Sequence, residues 1–131
     1  PILLRLDSRS GRELAAFDFG GAIATTENGD FWLVETFGDN TLSLRSASTG
    51  EIRKTLILRD AGLVAGMASR CGRLWAITGA QTERRQIVEI DTDHGTTAGA
   101  ISLSDSTVYA LAHTGAALVA LGQSYLYTIN W

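Results

Sequence analysis

Apolar residues along the chain come in short runs, broken at regular intervals by clusters of Gly, Asp, Ser, Thr and Asn. No stretch sustains the 3.6-residue period of a surface helix, and proline is nearly absent. The pattern predicts an all-β chain with little or no helix. An opening pair of strands is expected over 2–7 and 13–19, followed by two four-strand units at about 22–59 and 63–103 and a three-strand remainder over 107–131. The first strand of each unit is rich in small residues: Ala22 and Ala24, then Ala65, Gly66 and Ala68, then Ala110 and Ala112. The second strands, over 31–37, 74–77 and 118–121, are apolar at consecutive positions. A strand of that kind belongs to a sheet covered on both faces.

The units also share a repeat. Gly29, Gly72 and Gly115 fall 43 residues apart, and each is followed three positions on by a large apolar residue: Trp32, Trp75 and Leu118. A second glycine (Gly38, Gly79, Gly122) closes each run. Leu6-Asp7-Ser8-Arg9-Ser10-Gly11 matches Ile90-Asp91-Thr92-Asp93-His94-Gly95, with Ser46 to Gly50 as a degenerate copy. This is hairpin chemistry: an Asp or Ser side chain bonds nearby backbone N–H groups, and the glycine takes the positive φ of the turn. The expected organisation is one domain of an incomplete unit over 1–20, full units over 21–60 and 61–104, and an incomplete unit over 105–131.

Gly-x-Leu-Trp-Ala (Gly72 to Ala76) and Ile-Asp-x-x-x-Gly (Ile90 to Gly95) resemble the blades of the β-propeller repeat superfamily: the NHL, YVTN and streptogramin-lyase-like repeats. The resemblance spans nearly the whole chain and implies three tandem four-stranded antiparallel blades, with small inner strands crowding an axis. Its motifs are structural, so it implies a fold and not an activity. Trp32-Leu33-Val34-Glu35 is similar to the Trp-x-x-Glu of streptogramin lyases, whereas the next unit reads Trp75-Ala76-Ile77-Thr78, and no histidine stands where the lyase's acid/base belongs. Plant-type glutaminyl cyclotransferases carry a Glu before the glycine of an inner strand, where this chain reads Gly62-Leu63-Val64-Ala65-Gly66. Propellers close with about four to eight blades. A three-blade chain therefore implies a homodimer forming one six-bladed ring, or a partner chain that supplies the rest. A β-trefoil, a closed monomer with three repeats, is the alternative fold.

Composition narrows the function classes. The chain has 131 residues, 45% hydrophobic and 19% charged, with a formal net charge of -3. Arg53-Lys54 and Arg84-Arg85 are the adjacent basic pairs, which is not the basic stripe that nucleic acid requires. No apolar run approaches the roughly 18 residues that span a bilayer, so a membrane partner is not expected. The single cysteine, Cys71, reads as a small apolar residue beside a turn. The start, Pro1-Ile2-Leu3-Leu4-Arg5, has no signal-peptide pattern and no Met, pointing to processing or to a piece of a longer chain. Cytoplasmic and periplasmic or secreted locations both fit.

The chemistry-bearing residues are few. Asp60 and Asp105 each precede an inner strand, at the end where propeller ligands meet the axial funnel. Their carboxylates could bind a divalent cation or a polar ligand there, or simply cap turns. Glu35, Asp39 and Asn40 form a polar cluster after the first Trp strand, and the corresponding loop in the next unit is the longer Gln81-Thr82-Glu83-Arg84-Arg85. His94 reads as a solvated turn residue, and His113 as a group contacting the hairpin after it. Trp32 and Trp75 read as core between blades, and Trp131 as an interface residue. No cofactor is required by any of these. The expected function is a non-catalytic ligand-binding or protein-interaction module. A metal-dependent lyase or lactonase, or a sugar-binding lectin, are the alternatives.

Overall fold

The structure, a computed structural model, describes residues 2–18, 20–36, 40–79 and 84–131. Asp39, of the predicted polar cluster, and positions 81–83 of the charged loop lie outside them. The described residues form four antiparallel sheets. The first pairs β1 (Ile2–Leu6) with β2 (Glu13–Asp18). The second runs β3 (Ile23–Thr25), β4 (Phe31–Val34), β5 (Thr41–Arg45), β6 (Ile52–Ile57) in sequential order. The third does the same with β7 (Val64–Arg70), β8 (Arg73–Thr78), β9 (Gln86–Ile90) and β10 (Thr97–Ser102). The fourth holds β11 (Ala110–His113), β12 (Leu118–Leu121) and β13 (Leu126–Ile129). A β-trefoil needs strands closed into a barrel. Four separate open sheets with linear strand order replace that alternative.

Stacking explains the doubly apolar second strands. Leu74 and Ala76 of β8 enter a core shared with Trp32, Val34 and Leu42 of the second sheet. Trp75 and Ile77, pointing the other way, enter a core shared with Leu118 and Ala120 of the fourth. The third sheet is thus buried on both faces, as its consecutive apolar positions require. The innermost strands β3, β7 and β11 lie side by side. Gly66 of β7 shows why small residues belong there: a Cβ on it would sit 2.8 Å from the Tyr109 carbonyl oxygen.

The hairpins joining the two outer strands share one bonding scheme. Gly11, Gly50 and Gly95 donate their N–H groups to the carbonyls of Asp7, Ser46 and Asp91 at 2.8, 2.7 and 2.8 Å. The Asp7 carboxylate also accepts the N–H of Ser10 (2.8 Å), and that of Asp91 accepts the N–H of Asp93 (2.8 Å). His94, in this turn, is exposed and places Nδ1 2.7 Å from Asp91. The three glycines have φ near +70°, and two of them also touch the preceding sheet. A Cβ on Gly95 would lie 2.1 Å from the Ile57 carbonyl oxygen, and one on Gly50 would lie 2.0 Å from the Phe17 ring. A Cβ on Gly11 would meet nothing within 4 Å.

The flanks of the stack are apolar and open. Ile2, Leu4, Leu6 and Leu14 are exposed on the first sheet, and Leu121, Tyr125 and Leu126 on the fourth. Among the described residues no helix is long and apolar enough to cross a membrane.

Candidate functional site

The strand register places the loops before β7, β9 and β11 at one end of the stack. Val64 pairs with Thr78 and Thr78 with Gln86, so the start of β9 lies beside the start of β7. Two adjoining clefts open there, the first between the third and fourth sheets and the second along the fourth. One, of about 480 Å³, is lined by Arg85, Ser106, Thr107, Tyr109 and Gln123. The other, of about 270 Å³, shares Thr107 and Gln123 and adds Asp105, Tyr125 and Tyr127.

Asp105 organises the second cleft. Its carboxylate accepts the Thr107 N–H (2.8 Å), the Thr107 hydroxyl (2.6 Å) and the Tyr127 hydroxyl (2.8 Å). The Thr107 hydroxyl in turn accepts the Gln123 N–H at 3.0 Å. Gly122 permits this nesting, since a Cβ there would stand 2.6 Å from the carboxylate. Bonds from the Thr107 and Tyr127 hydroxyls hold the Asp105 carboxyl below the usual aspartate range, and the same carboxylate raises the Tyr127 phenol.

The other expected site residues lie apart from this pair of clefts. Asp60 accepts the Thr97 N–H (2.9 and 3.1 Å) and hydroxyl (3.0 Å) at the start of β10, the outermost strand of the third sheet. Its carboxylate therefore ties the second sheet's exit to its neighbour's periphery, and shares no partner with Asp105. Glu35 pairs with Arg45 (2.8 and 2.9 Å) and accepts the buried Ser43 hydroxyl, all within the second sheet. Asn40 is half-buried, and its carbonyl accepts the Leu58 N–H at 2.8 Å. His113, at the far end of β11, accepts the Gly115 N–H on Nδ1 (2.9 Å) and stacks on Trp75 with ring centroids 5.2 Å apart.

Trp131, still exposed, packs against residues of its own chain. Its indole N–H donates to Glu89 (2.7 Å), its edge meets Trp75 at 6.5 Å, and its ring lies over Gly99. Arg73 completes the cluster through a paired contact to Glu89 (2.7 Å at both oxygens) and a cation–π contact to Trp75. Arg73 first, then Trp131, hold the Glu89 carboxyl below its ordinary value of 4.5, against the opposing effect of burial. A depressed folded value means that this clamp stabilises the fold above the unfolded value and fades as pH falls through the folded one. A carboxyl-detected NMR titration should accordingly place the Glu89 midpoint below 4.5, with the Trp131 indole signal moving alongside. A midpoint at or above that value would contradict the clamp.

In the sequence Arg85 stands out as half of a basic pair and as the end of the charged loop. It is 5% exposed, and its Nε and Nη1 are buried without a hydrogen-bond partner. Its place at the head of β9, in phase with Ile87, turns it towards the fourth sheet. Among the described residues no group of three or more His, Cys, Asp or Glu side chains could hold a metal ion.

Solved structures share this arrangement. Glutaminyl cyclase from Myxococcus xanthus superposes with a TM-score of 0.73 over 98% of this chain, at 14% identity. Hydrazine synthase from Kuenenia stuttgartiensis gives 0.64 over 95% at 16%, and the WD40 β-propeller domain of Doa1 gives 0.59 over 90% at 14%. The fold is β-propeller-like. The chain covers 56%, 38% and 40% of those three structures, and at such identities the likeness concerns the fold alone. No protein-family pattern and no curated protein sequence matches the chain.

Proposed function

We propose that the chain is a non-catalytic binding module of β-propeller type whose ring is completed by further blades, supplied by a second copy of itself. The observation that carries this reading is the pair of open apolar flanks. Ile2, Leu4, Leu6 and Leu14 at one end and Leu121, Tyr125 and Leu126 at the other occupy faces that a closed ring covers. Gly11 supports it as well. The equivalent glycines, Gly50 and Gly95, each abut the outer strand of the sheet before them, and the same place beside Gly11 is open.

A binding role is supported by the state of the acids. Glu35, Asp60 and Asp105 each accept several fixed hydrogen bonds from their own surroundings, an arrangement suited to holding loops in place rather than to passing protons. Loops at the end where the inner strands begin form clefts with mixed polar and aromatic linings, and there a ligand of modest size, or a loop of a protein partner, would be recognised. Light scattering on a sizing column tests the assembly. A mass near twice the 14.0 kDa of the chain, stable on dilution, is the expected result, and a clean monomer would overturn completion by a second copy.

A further inference from the structure

The geometry points to the Arg85 cleft as a binding site for a carboxylate-bearing organic ligand. A guanidinium carries five N–H donors, cannot shed its charge, and is costly to bury without acceptors. Here Nε and Nη1 are both shielded from solvent and unpartnered, on a side chain 5% exposed that lines a cleft of about 480 Å³. No ion pair among the described residues involves it. The remaining lining suits an anion on an organic body. Ser106 and Gln123 offer hydroxyl and amide donors, and the exposed ring of Tyr109 offers an aromatic wall.

Charge selects among oxyanions. Thr107 lines the cleft and donates its hydroxyl to Asp105, so a fixed negative charge stands one residue behind the wall. The single guanidinium balances one added negative charge, which a carboxylate brings and a phosphate dianion exceeds, and the Asp105 charge behind the wall repels that excess. The inference deepens the binding-module reading. It is independent of ring completion, because all five lining residues come from one chain, in the loops beside its third and fourth sheets.

The test is NMR of the arginine Nε–H signals in the full chain. Sodium acetate and sodium benzoate would be titrated beside sodium chloride and inorganic phosphate at matched ionic strength. The Arg85 signal should shift saturably with the carboxylates, benzoate binding more tightly through Tyr109, and not with chloride. Arg85→Met should abolish the saturable shifts of neighbouring amides. It should also raise the melting temperature of the ligand-free protein by about 2–6 °C, since it removes a buried unpaired charge. Gln123→Ala, a substitution at an exposed side chain, should weaken binding by about threefold and covers the case in which the methionine variant fails to fold. An Arg85 signal that no carboxylate moves would overturn the proposal, as would undiminished saturable shifts in a folded Arg85→Met variant. Tighter binding of phosphate would overturn the carboxylate assignment. A monomer that still shows the saturable shift would sink the ring and keep the site, and a dimer without the shift would do the reverse.

Discussion

Gly95→Ala is expected to destabilise the fold by roughly 3 kcal/mol or more, several times the cost of the same change at Gly11. Both residues have positive φ, +74° and +68°, so each pays about 1–2 kcal/mol for a Cβ in the left-handed region. Only at Gly95 does the Cβ also meet backbone, 2.1 Å from the Ile57 carbonyl oxygen, and a carbonyl in a paired strand cannot swing aside. Gly50→Ala should fall between them, near 2 kcal/mol, because the obstacle there is the Phe17 ring, which can rotate at the expense of its contact with Phe31. Urea denaturation of the three variants measures the order directly. Equal costs at Gly11 and Gly95 in a monomeric sample would remove contact with the preceding sheet as the cause.

Trp75→Ala should cost about 4 kcal/mol, a large fraction of the stability of an ordinary domain. The ring is 1% exposed, and several neighbours depend on it. His113 stacks on its face, Trp131 meets its edge and the Arg73 guanidinium lies 4.8 Å from its centroid. Truncation opens a cavity between the third and fourth sheets and unseats Trp131 together. Trp75→Phe should cost well under half as much, since the indole Nε1 is itself buried without a partner and its loss relieves that penalty. Thermal unfolding checks the ranking, with Trp131 emission shifting to the red in the alanine variant. A loss below about 1 kcal/mol for Trp75→Ala would mean that the sheets do not meet through this ring.

The strands were legible because each is bounded by turn chemistry that admits few alternatives. Asp7 to Gly11 and Asp91 to Gly95 form the same hydrogen bonds that their residue types suggested. Two-sided burial of the third sheet was equally plain from Leu74-Trp75-Ala76-Ile77, as was the crowding of inner strands from Gly66. Contact of His113 with its own hairpin followed from its place two residues before Gly115. The candidate site was less readable, because side-chain direction at a strand end depends on register and twist. Position before an inner strand suggested an axial carboxylate at Asp60, but the chain carries it to Thr97 on an outer strand. Arg84-Arg85 read as an exposed loop tip, whereas alternation with Ile87 turns Arg85 inward. Trp131 found its packing within the chain, against residues far away in sequence.

The two-sided third sheet also governs how order is lost. Among the described residues, buried cores join the second sheet to the third and the third to the fourth, so these three behave as a short row in which every member is held by the interfaces beside it. The members at either end have one such interface and the third sheet has two, so melting enters from the flanks and reaches β8 last. Cooperativity therefore resides in the middle of the row: removing an end member shortens it, whereas disordering the third sheet divides it into fragments that share no core.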